Sequence, residues 1–308
     1  MSQSVPTRAL RPATTAGPFV RAVAVRRFVA LTGAGMSTDS GIPDYRGPGS
    51  PPRAPMTYQE FVSGPVAQQR YWARSHLGWS RMRRADPNAG HRALAALEAT
   101  GAVHTLVTQN VDGLHEAAGS RSVCALHGQI SDVVCLGCGS RTARAALQDR
   151  MAAANPGWAE EHATTEVRPD GDVELDDTAG FVVPVCVTCG GALKPDVVFF
   201  GENVPRARVE HCYAAVDSLD PDDDLLLVLG SSLTVMSGFR FVRRAVSRGV
   251  PVLVVNRGPT RADPLVETGL VHRLDHGTSQ FLTALEAAVA APVTFPAELS
   301  EVERARAH

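Results

Sequence analysis

Four short apolar runs along the chain have the pattern of strands buried on both faces. They are FVALT (28–32), VHTLV (103–107), LLLVLG (225–230) and VPVLVV (250–255), each flanked by turn or helix residues. Continuous runs of this length, rich in valine and leucine, are typical of parallel strands that helices cover on both sides. The pattern therefore predicts a parallel sheet.

Helical periodicity lies between these runs. Residues 91–101 place apolar side chains at helical spacing and end at Gly101, and residues 239–249 repeat the scheme and end at Gly249. A glycine at the end of a periodic segment is a common helix terminator. The alternation of strand and helix predicts an α/β fold with a doubly wound, Rossmann-like parallel sheet.

Two segments interrupt this alternation and define the expected domains. Residues 131–194 contain two Cys-x-x-Cys pairs around an acidic middle, and they predict a small inserted domain. A helical insert is expected at about 55–90, within a main domain formed by 25–130 and 195–308. Residues 1–24 contain arginine but no acidic residue, which predicts a disordered leader, with a mitochondrial transit peptide as the alternative.

Composition excludes some classes of partner. The 308 residues are 44% hydrophobic with a net charge of −2, so no overall field attracts nucleic acid, and no apolar run approaches the length of a membrane span. Arginine supplies nearly all of the basic residues, a bias typical of GC-rich bacterial genomes. The expected location is a bacterial cytoplasm, with the mitochondrial matrix as the alternative; the oligomeric state is left open.

The two cysteine pairs predict a metal site. In a reducing compartment such pairs indicate metal binding sooner than disulfides, and four thiolates complete a tetrahedral shell with no position for substrate. A single structural zinc is therefore expected at Cys135, Cys138, Cys186 and Cys189. Cys124 and Cys212 stand alone and are expected to be small buried hydrophobic residues.

Small polar residues follow all four predicted strands. The segments are GAGMS after the first strand, TQNVD after the second, GSSLTV after the third and NRGPT after the fourth. Ligands of open parallel sheets bind outside the carboxyl ends of the strands. These four segments therefore predict a shared binding crevice.

The first of these loops has part of a dinucleotide fingerprint. Gly33 and Gly35 would let a phosphate approach backbone N–H groups, but Thr38 occupies the position expected for the third glycine. Asp44 and Arg46 in the same loop add an acid and a bidentate phosphate donor. The alternative is a solvated turn.

Taken together, the motifs resemble those of the sirtuin family of NAD-dependent protein deacylases. The resemblance covers roughly residues 28 to 290. In the family's order, the chain contains GAGMSTDSGIPDYRG, TQNVDGLH, LHG, the cysteine pairs, KPDVVFFGE, GSSLTV and NRG. The long spacing between the cysteine pairs and QRYWAR are most similar to class II sirtuins. The resemblance implies NAD as co-substrate and acylated-lysine proteins or peptides as partners.

The resemblance also implies roles for individual residues. The NAD-binding residues would be Gly33, Ala34, Gly35, Ser37, Asp44, Tyr45, Arg46, Gln109, Asn110, Asp112, Gly230, Ser231, Ser232, Asn256, Arg257, Gly258 and Leu274. Asn110 and Asp112 would also act in catalysis with His127, a residue that spacing alone does not distinguish from the other histidines. The substrate peptide would pair with Val198, Phe199, Phe200, Gly201 and Glu202.

The implied reaction transfers an acyl group from lysine to ADP-ribose and releases nicotinamide, with neutral His127 accepting a ribose hydroxyl proton. Tyr71 and Arg74 have the spacing with which the family's desuccinylase branch recognises an acidic acyl tail, so removal of acyl groups larger than acetyl, carboxylated ones included, is expected. Alternatively, Tyr71 is a core residue and Arg74 a solvated charge. The alternative functions are mono-ADP-ribosyltransfer to protein and a catalytically silent NAD-sensing zinc module.

Overall fold

The computed structural model describes residues 15–44, 55–162, 175 and 177–291. In this part of the chain the strands are β1 (Arg27–Thr32), β2 (Val103–Thr108), β3 (Val123–Ala125), β4 (Gly128–Cys135), β5 (Arg141–Ala143), β6 (Leu193–Val197), β7 (Asp224–Leu229), β8 (Val252–Val255) and β9 (Val271–Leu274). The helices are α1 (Gly17–Ala24), α2 (Tyr58–Phe61), α3 (Pro65–Arg84), α4 (Ala89–Ala99), α5 (Leu114–Ala117), α6 (Arg144–Ala154), α7 (Trp158–Glu161), α8 (Arg206–Asp217), α9 (Met236–Ser247) and α10 (Thr278–Ala290). No helix among these residues is long and apolar enough to cross a bilayer.

The main sheet is parallel and has the strand order β3-β2-β1-β7-β8-β9. The four predicted strands form its centre, so the predicted sheet is confirmed. The short edge strands β3 and β9 complete it and were not predicted. The order reverses between β1 and β7, and the crevice of such a sheet opens at this switch point.

Alternate residues of the central strands face two separate apolar layers. Phe28 and Ala30 of β1 pack with helices α1, α4 and α10, whereas Val29 and Leu31 pack with α8 and α9. Cys124 and Cys212 are buried in the second layer, which confirms their expected character. The sheet is therefore covered on both faces, as the continuous apolar runs predicted.

Helix α1 corrects the prediction of a disordered leader for its last eight residues. Val20 and Val23 are buried in the first apolar layer against α10. Apolar residues three apart lie on one helix face, which is why this segment folds onto the domain. Residues 1–14 lie outside the described part of the chain.

A second, antiparallel sheet with the order β5-β4-β6 builds the small domain that carries the cysteine pairs. Its core is shared with α2 and α3, because Trp72 of α3 is fully buried beside Leu147 and Met151 of α6. The Trp72 indole N–H also donates a 2.9 Å hydrogen bond to Leu193 O. The predicted helical insert thus packs against the small domain.

Candidate active site

A cleft of about 890 Å³ lies at the carboxyl ends of β1, β2, β7 and β8, between the main sheet and the small domain. Most of the predicted ligand-binding residues line it. They are Gly33, Ala34, Gly35, Ser37, Asp44, Tyr71, Gln109, Asn110, Asp112, His127, Val198, Phe199, Phe200, Gly201, Glu202, Gly230, Ser231, Ser232, Asn256, Arg257 and Gly258.

Gly33 and Gly35 pack directly against the loop after β7. Their N–H groups donate to Leu229 O (3.0 Å) and Gly230 O (2.9 Å). A Cβ on Gly33 would lie 2.7 Å from Ser231 Cβ, and one on Gly35 would lie 3.0 Å from Gly230 Cα. The N–H groups of these two glycines are therefore paired with the chain itself, and the absence of a Cβ allows the close packing of two cleft loops. The expected contact of this loop with a phosphate stays a prediction.

A buried polar network connects the loops after β1 and β2. Asn110 Nδ2 donates to Gly33 O (3.1 Å) and to Ser37 Oγ (3.0 Å), and the Ser37 hydroxyl donates to Asp112 Oδ2 (2.7 Å). The Leu114 N–H donates to Asp112 Oδ1 at 3.0 Å. Burial raises the pKa of Asp112, while these hydrogen bonds oppose the shift. The network places a carboxyl group and an amide side by side in the cleft.

Gln109 connects three strands at the floor of the cleft. Its N–H donates to Thr32 O at 3.0 Å, and its side-chain oxygen accepts a 2.7 Å hydrogen bond from Ser231 Oγ. Its own carbonyl oxygen lies 2.8 Å from His127 Nδ1. Gln109 thus fixes the position of the candidate catalytic histidine.

The hydrogen bonds of His127 define its tautomer. A carbonyl oxygen only accepts, so Nδ1 carries the proton toward Gln109, and Nε2 accepts a 2.7 Å hydrogen bond from Ser237 Oγ. Burial lowers the pKa of His127, so the imidazole is neutral at pH 7. A neutral imidazole with a fixed acceptor nitrogen in a cleft can act as a general base.

The segment from Val198 to Glu202 forms the cleft wall next to the small domain. Val198 N–H donates to His127 O at 2.8 Å, which ties this wall to the histidine. Glu202 Oε2 accepts from Phe199 N–H (2.8 Å) and from Lys194 Nζ (3.1 Å). Glu202 therefore stabilises the turn, and the carbonyl oxygens of Phe200 and Gly201 accept from Tyr58 N–H (2.9 Å) and Gln59 Nε2 (3.2 Å). Pairing of this segment with a substrate peptide stays a prediction.

Two predicted ligand-binding residues do not line the cleft. Arg74 donates two hydrogen bonds, of 2.9 and 2.6 Å, to Leu175 O, so its guanidinium is directed at the small domain. Leu274 is fully buried in the apolar layer with α10. Packing and a backbone acceptor hold these two side chains outside the cleft lining, and their ligand-binding roles stay predictions. Tyr45 and Arg46 lie outside the described residues.

The four cysteines come together as the candidate metal centre. Their Sγ atoms all lie within 4.8 Å of one another, with Cys135 and Cys189 at 3.5 Å and Cys138 and Cys186 at 3.8 Å. Tetrahedral zinc with bonds of about 2.3 Å needs sulfur separations of about 3.8 Å. The arrangement fits a structural zinc.

Backbone turns support each half of the candidate metal centre. Gly137 N–H and Thr188 N–H point at Cys135 Sγ and Cys186 Sγ, both at 3.4 Å. Gly139 and Gly190 follow the two pairs with φ values of +72° and +73°. These left-handed positions favour glycine, which explains the glycine after each Cys-x-x-Cys.

Ser237 was missed by the sequence analysis. It lies two residues beyond the GSSLTV motif, in the first turn of α9, and lines the cleft. A serine at the start of a helix is an ordinary feature, so only its contact with His127, 110 residues away, distinguishes it.

The sheet order, the cleft at its switch point and the inserted four-cysteine domain define a Rossmann-like dinucleotide-binding protein with a metal-stabilised insert. The model of the Sir2 family matches residues 33–237. The chain therefore belongs to the Sir2 family, which is a family of enzymes.

Similar proteins agree with this assignment. The chain is 52% identical over 269 residues to NAD-dependent protein deacetylase 1 of Mycobacterium avium (86% of this chain, 93% of the relative). It is 53% identical over 264 residues to NAD-dependent protein deacetylase 1 of Streptomyces coelicolor (84% and 86%). A solved structure of Sir2 bound to acetylated peptide is 26% identical, with a TM-score of 0.67, and covers 90% of this chain and 100% of its own.

Proposed function

We propose that this protein is an NAD-dependent protein lysine deacylase that transfers the acyl group from lysine to ADP-ribose. One observation carries the proposal: His127 presents an unprotonated Nε2 to the same cleft that holds Asn110 and Asp112. The relatives named NAD-dependent protein deacetylases support both the co-substrate and the reaction class.

The proposed reaction has two stages, and different residues of the cleft act in each. In the first stage, the acyl oxygen attacks C1′ of the nicotinamide ribose and nicotinamide leaves. Asn110 and Asp112 orient the ribose, and a carboxylate near the developing oxocarbenium ion stabilises it. In the second stage, His127 takes up a proton from the ribose hydroxyls, so that the 2′-oxygen attacks the alkylimidate carbon. Water then releases lysine and O-acyl-ADP-ribose.

The acyl group is proposed to be larger than acetyl. Tyr71 lines the cleft beside Phe199, with ring centroids 5.2 Å apart, and Phe61 packs on Tyr71 at 5.4 Å. Ile42 and Met56 add further apolar lining. A longer acyl chain would bury apolar surface here at roughly 0.8 kcal/mol per CH₂. The hydrogen bonds of Arg74 to Leu175 O favour an uncharged acyl tail over a carboxylated one.

The product mixture tests the activity. Purified protein is incubated with NAD and a library of peptides that carry acetyl, propionyl, butyryl, longer aliphatic and succinyl lysine, and the products are identified by mass spectrometry. O-acyl-ADP-ribose with free lysine peptide is expected. Nicotinamide release without that product would favour protein mono-ADP-ribosyltransfer, and tight NAD binding without nicotinamide release would favour the silent NAD-binding module.

The same library tests acyl preference. The longer aliphatic peptides are expected to have the highest kcat/KM, and Tyr71→Ala is expected to reduce it more for them than for acetyl. Arg74→Ala is the matched control on the same helix and should leave the order unchanged. Fastest turnover of acetyl-lysine would contradict the preference while leaving the deacylase proposal intact.

The proposed cellular setting follows from the relatives and the cysteines. The similar proteins come from bacteria, and the four clustered thiols fit zinc, which requires them to be reduced. A bacterial cytoplasm is therefore the proposed compartment, with acylated proteins as the partners.

A further inference from the structure

His127 has only one nitrogen that can accept a proton. Nδ1 is committed to Gln109 O at 2.8 Å, and the single in-plane lone pair of Nε2 faces Ser237 Oγ at 2.7 Å. Because this lone pair already accepts from Ser237, a second hydroxyl group has no lone pair on Nε2 to which it could donate. A ribose hydroxyl in the cleft therefore meets the serine oxygen on the direct approach to the base.

Ser237 is held rigidly in this position. It lies in the first turn of α9, and its residue surface is only 8% exposed although it lines the cleft. The next residue, Gly238, packs so closely on the Gln109 amide that an added Cβ would lie 2.5 Å from Nε2 of Gln109. Gln109 thus fixes the histidine through its carbonyl and contacts the start of the helix that carries the serine.

The serine oxygen retains acceptor capacity. A hydroxyl has one hydrogen and two lone pairs, and the hydrogen is donated to His127 Nε2. The oxygen can therefore accept a hydrogen bond from a second hydroxyl while it donates to the imidazole. This is the arrangement that a proton relay requires.

We propose that Ser237 is a catalytic residue that relays the ribose proton to His127. The ribose O–H bond breaks as its proton passes to Ser237 Oγ, and the original serine proton passes to His127 Nε2. The freed oxygen lone pair forms the bond to the alkylimidate carbon while the π bond of its C=N group breaks and that electron pair moves to nitrogen. The serine ends as a neutral hydroxyl and His127 as an imidazolium. No oxidant, metal or other reactant is needed. The inference rests on the proposed deacylase function.

The relay acts only after nicotinamide has left, and this separates it from a general structural role. Ser237→Ala is expected to lower single-turnover formation of O-acyl-ADP-ribose about 100-fold, a typical contribution of general acid–base groups. Exchange of labelled nicotinamide into NAD in the presence of acyl-peptide, which reports the first stage, should change less than twofold. Ser237→Thr keeps the hydroxyl and should restore most of the second-stage rate.

Ser247→Ala is the matched control, because Ser247 ends the same helix and its exposed hydroxyl bonds to Arg244 O. It should leave both rates unchanged. An undiminished or faster second stage in Ser237→Ala would mean that His127 accepts the ribose proton directly, and it would overturn the relay. An equal decrease in the rates of both stages would show that Ser237 has a structural role, and it would also overturn the proposed relay.

The wild-type protein provides a test that does not depend on folding of the variants. The second-stage rate is measured in single turnovers across mixtures of H₂O and D₂O. Two protons in flight predict a curved dependence on the deuterium fraction, and a linear dependence would overturn the relay. Absence of nicotinamide exchange in the wild-type protein would instead remove the proposed function, so the two failures are distinguishable.

Discussion

The hydroxyl of Ser37 donates a 2.7 Å hydrogen bond to the carboxylate of Asp112, which lies 75 residues further along the chain. The same hydroxyl accepts from Asn110 Nδ2, so one small side chain joins the loop after β1 to the loop after β2. The geometry of this part of the cleft therefore depends on the hydroxyl group of one serine.

Replacement of Ser37 by alanine tests this dependence. Loss of a hydrogen bond to a charged group costs about 1.5–3 kcal/mol, so Kd for NAD should rise about 10- to 100-fold in Ser37→Ala. The pKa of Asp112 should rise further, because one of the hydrogen bonds that oppose its upward shift is removed. Calorimetric titration with NAD measures the affinity. Ser80→Ala, which changes an exposed serine of α3, is the control, and equal affinities in both variants would contradict the dependence.

Replacement of His127 tests the assignment of the general base. His127→Ala is expected to lower deacylation by 10²-fold or more, the range of a lost general base, while NAD and zinc still bind. His127→Tyr should behave in the same way. His104→Ala is the control, because His104 is an exposed histidine on β2. Full deacylation by the His127 variants would refute the mechanism, whatever their affinity for NAD.

Stability should depend on pH through two buried histidines. His91 and His115 are almost completely buried, with ring centroids 4.7 Å apart, and burial lowers their pKa values to about 4 and about 3. The unfolded chain, with an ordinary histidine pKa of about 6.5, binds more protons below that value. The free energy of unfolding should therefore fall as pH drops below about 6.5, by up to about 1.4 kcal/mol per pH unit for each histidine.

Urea unfolding between pH 7.5 and pH 4.5 measures this effect. Other titrating groups contribute as well, so the His115→Asn variant provides the comparison. Below pH 6.5, the free energy of unfolding of this variant should fall less steeply with decreasing pH than that of the wild type, by about the contribution of one proton. The variant should also be less stable at every pH, because Thr32 Oγ1 loses its 3.0 Å contact with His115 Nε2. Identical slopes would show that His115 does not titrate on unfolding.

Removal of zinc should unfold the small domain selectively. Four thiolates left without metal repel each other as they ionise, and metal binding supplies much of the folding free energy of small metal domains. After chelation, backbone amides of β4, β5 and β6 should exchange rapidly in hydrogen-exchange mass spectrometry, whereas amides of β1 and β7 stay protected. Cys138→Ser should reproduce this pattern without chelator. Unchanged exchange in β4 to β6 would show that the metal does not stabilise the domain.

Local chemistry made several features predictable from sequence. The central strands β1, β2, β7 and β8 are continuous apolar runs, because both faces of a parallel strand are buried. The cysteine pairs identify a metal centre, because the ligand type and the two-residue spacing are requirements of the metal itself.

Other features carried too little local signal. Strand β3 has only three residues, and β9 has four that include His272 and Arg273, so their pairing partners define them and not their own pattern. Helix α1 lies in a segment whose arginines suggested a leader, and only the complementary face of α10 gives Val20 and Val23 a place to be buried.

The sequence by itself indicated the four central strands, the two cysteine pairs and the small polar loops that follow the strands, because each of these is a pattern of residues near one another in the chain. Only the tertiary structure decided which of those residues act together. It directs Arg74 away from the cleft to Leu175 O and brings Ser237 to His127. Contacts between distant segments depend on the packing of whole elements, and the spacing of residues within one motif contains no information about that packing.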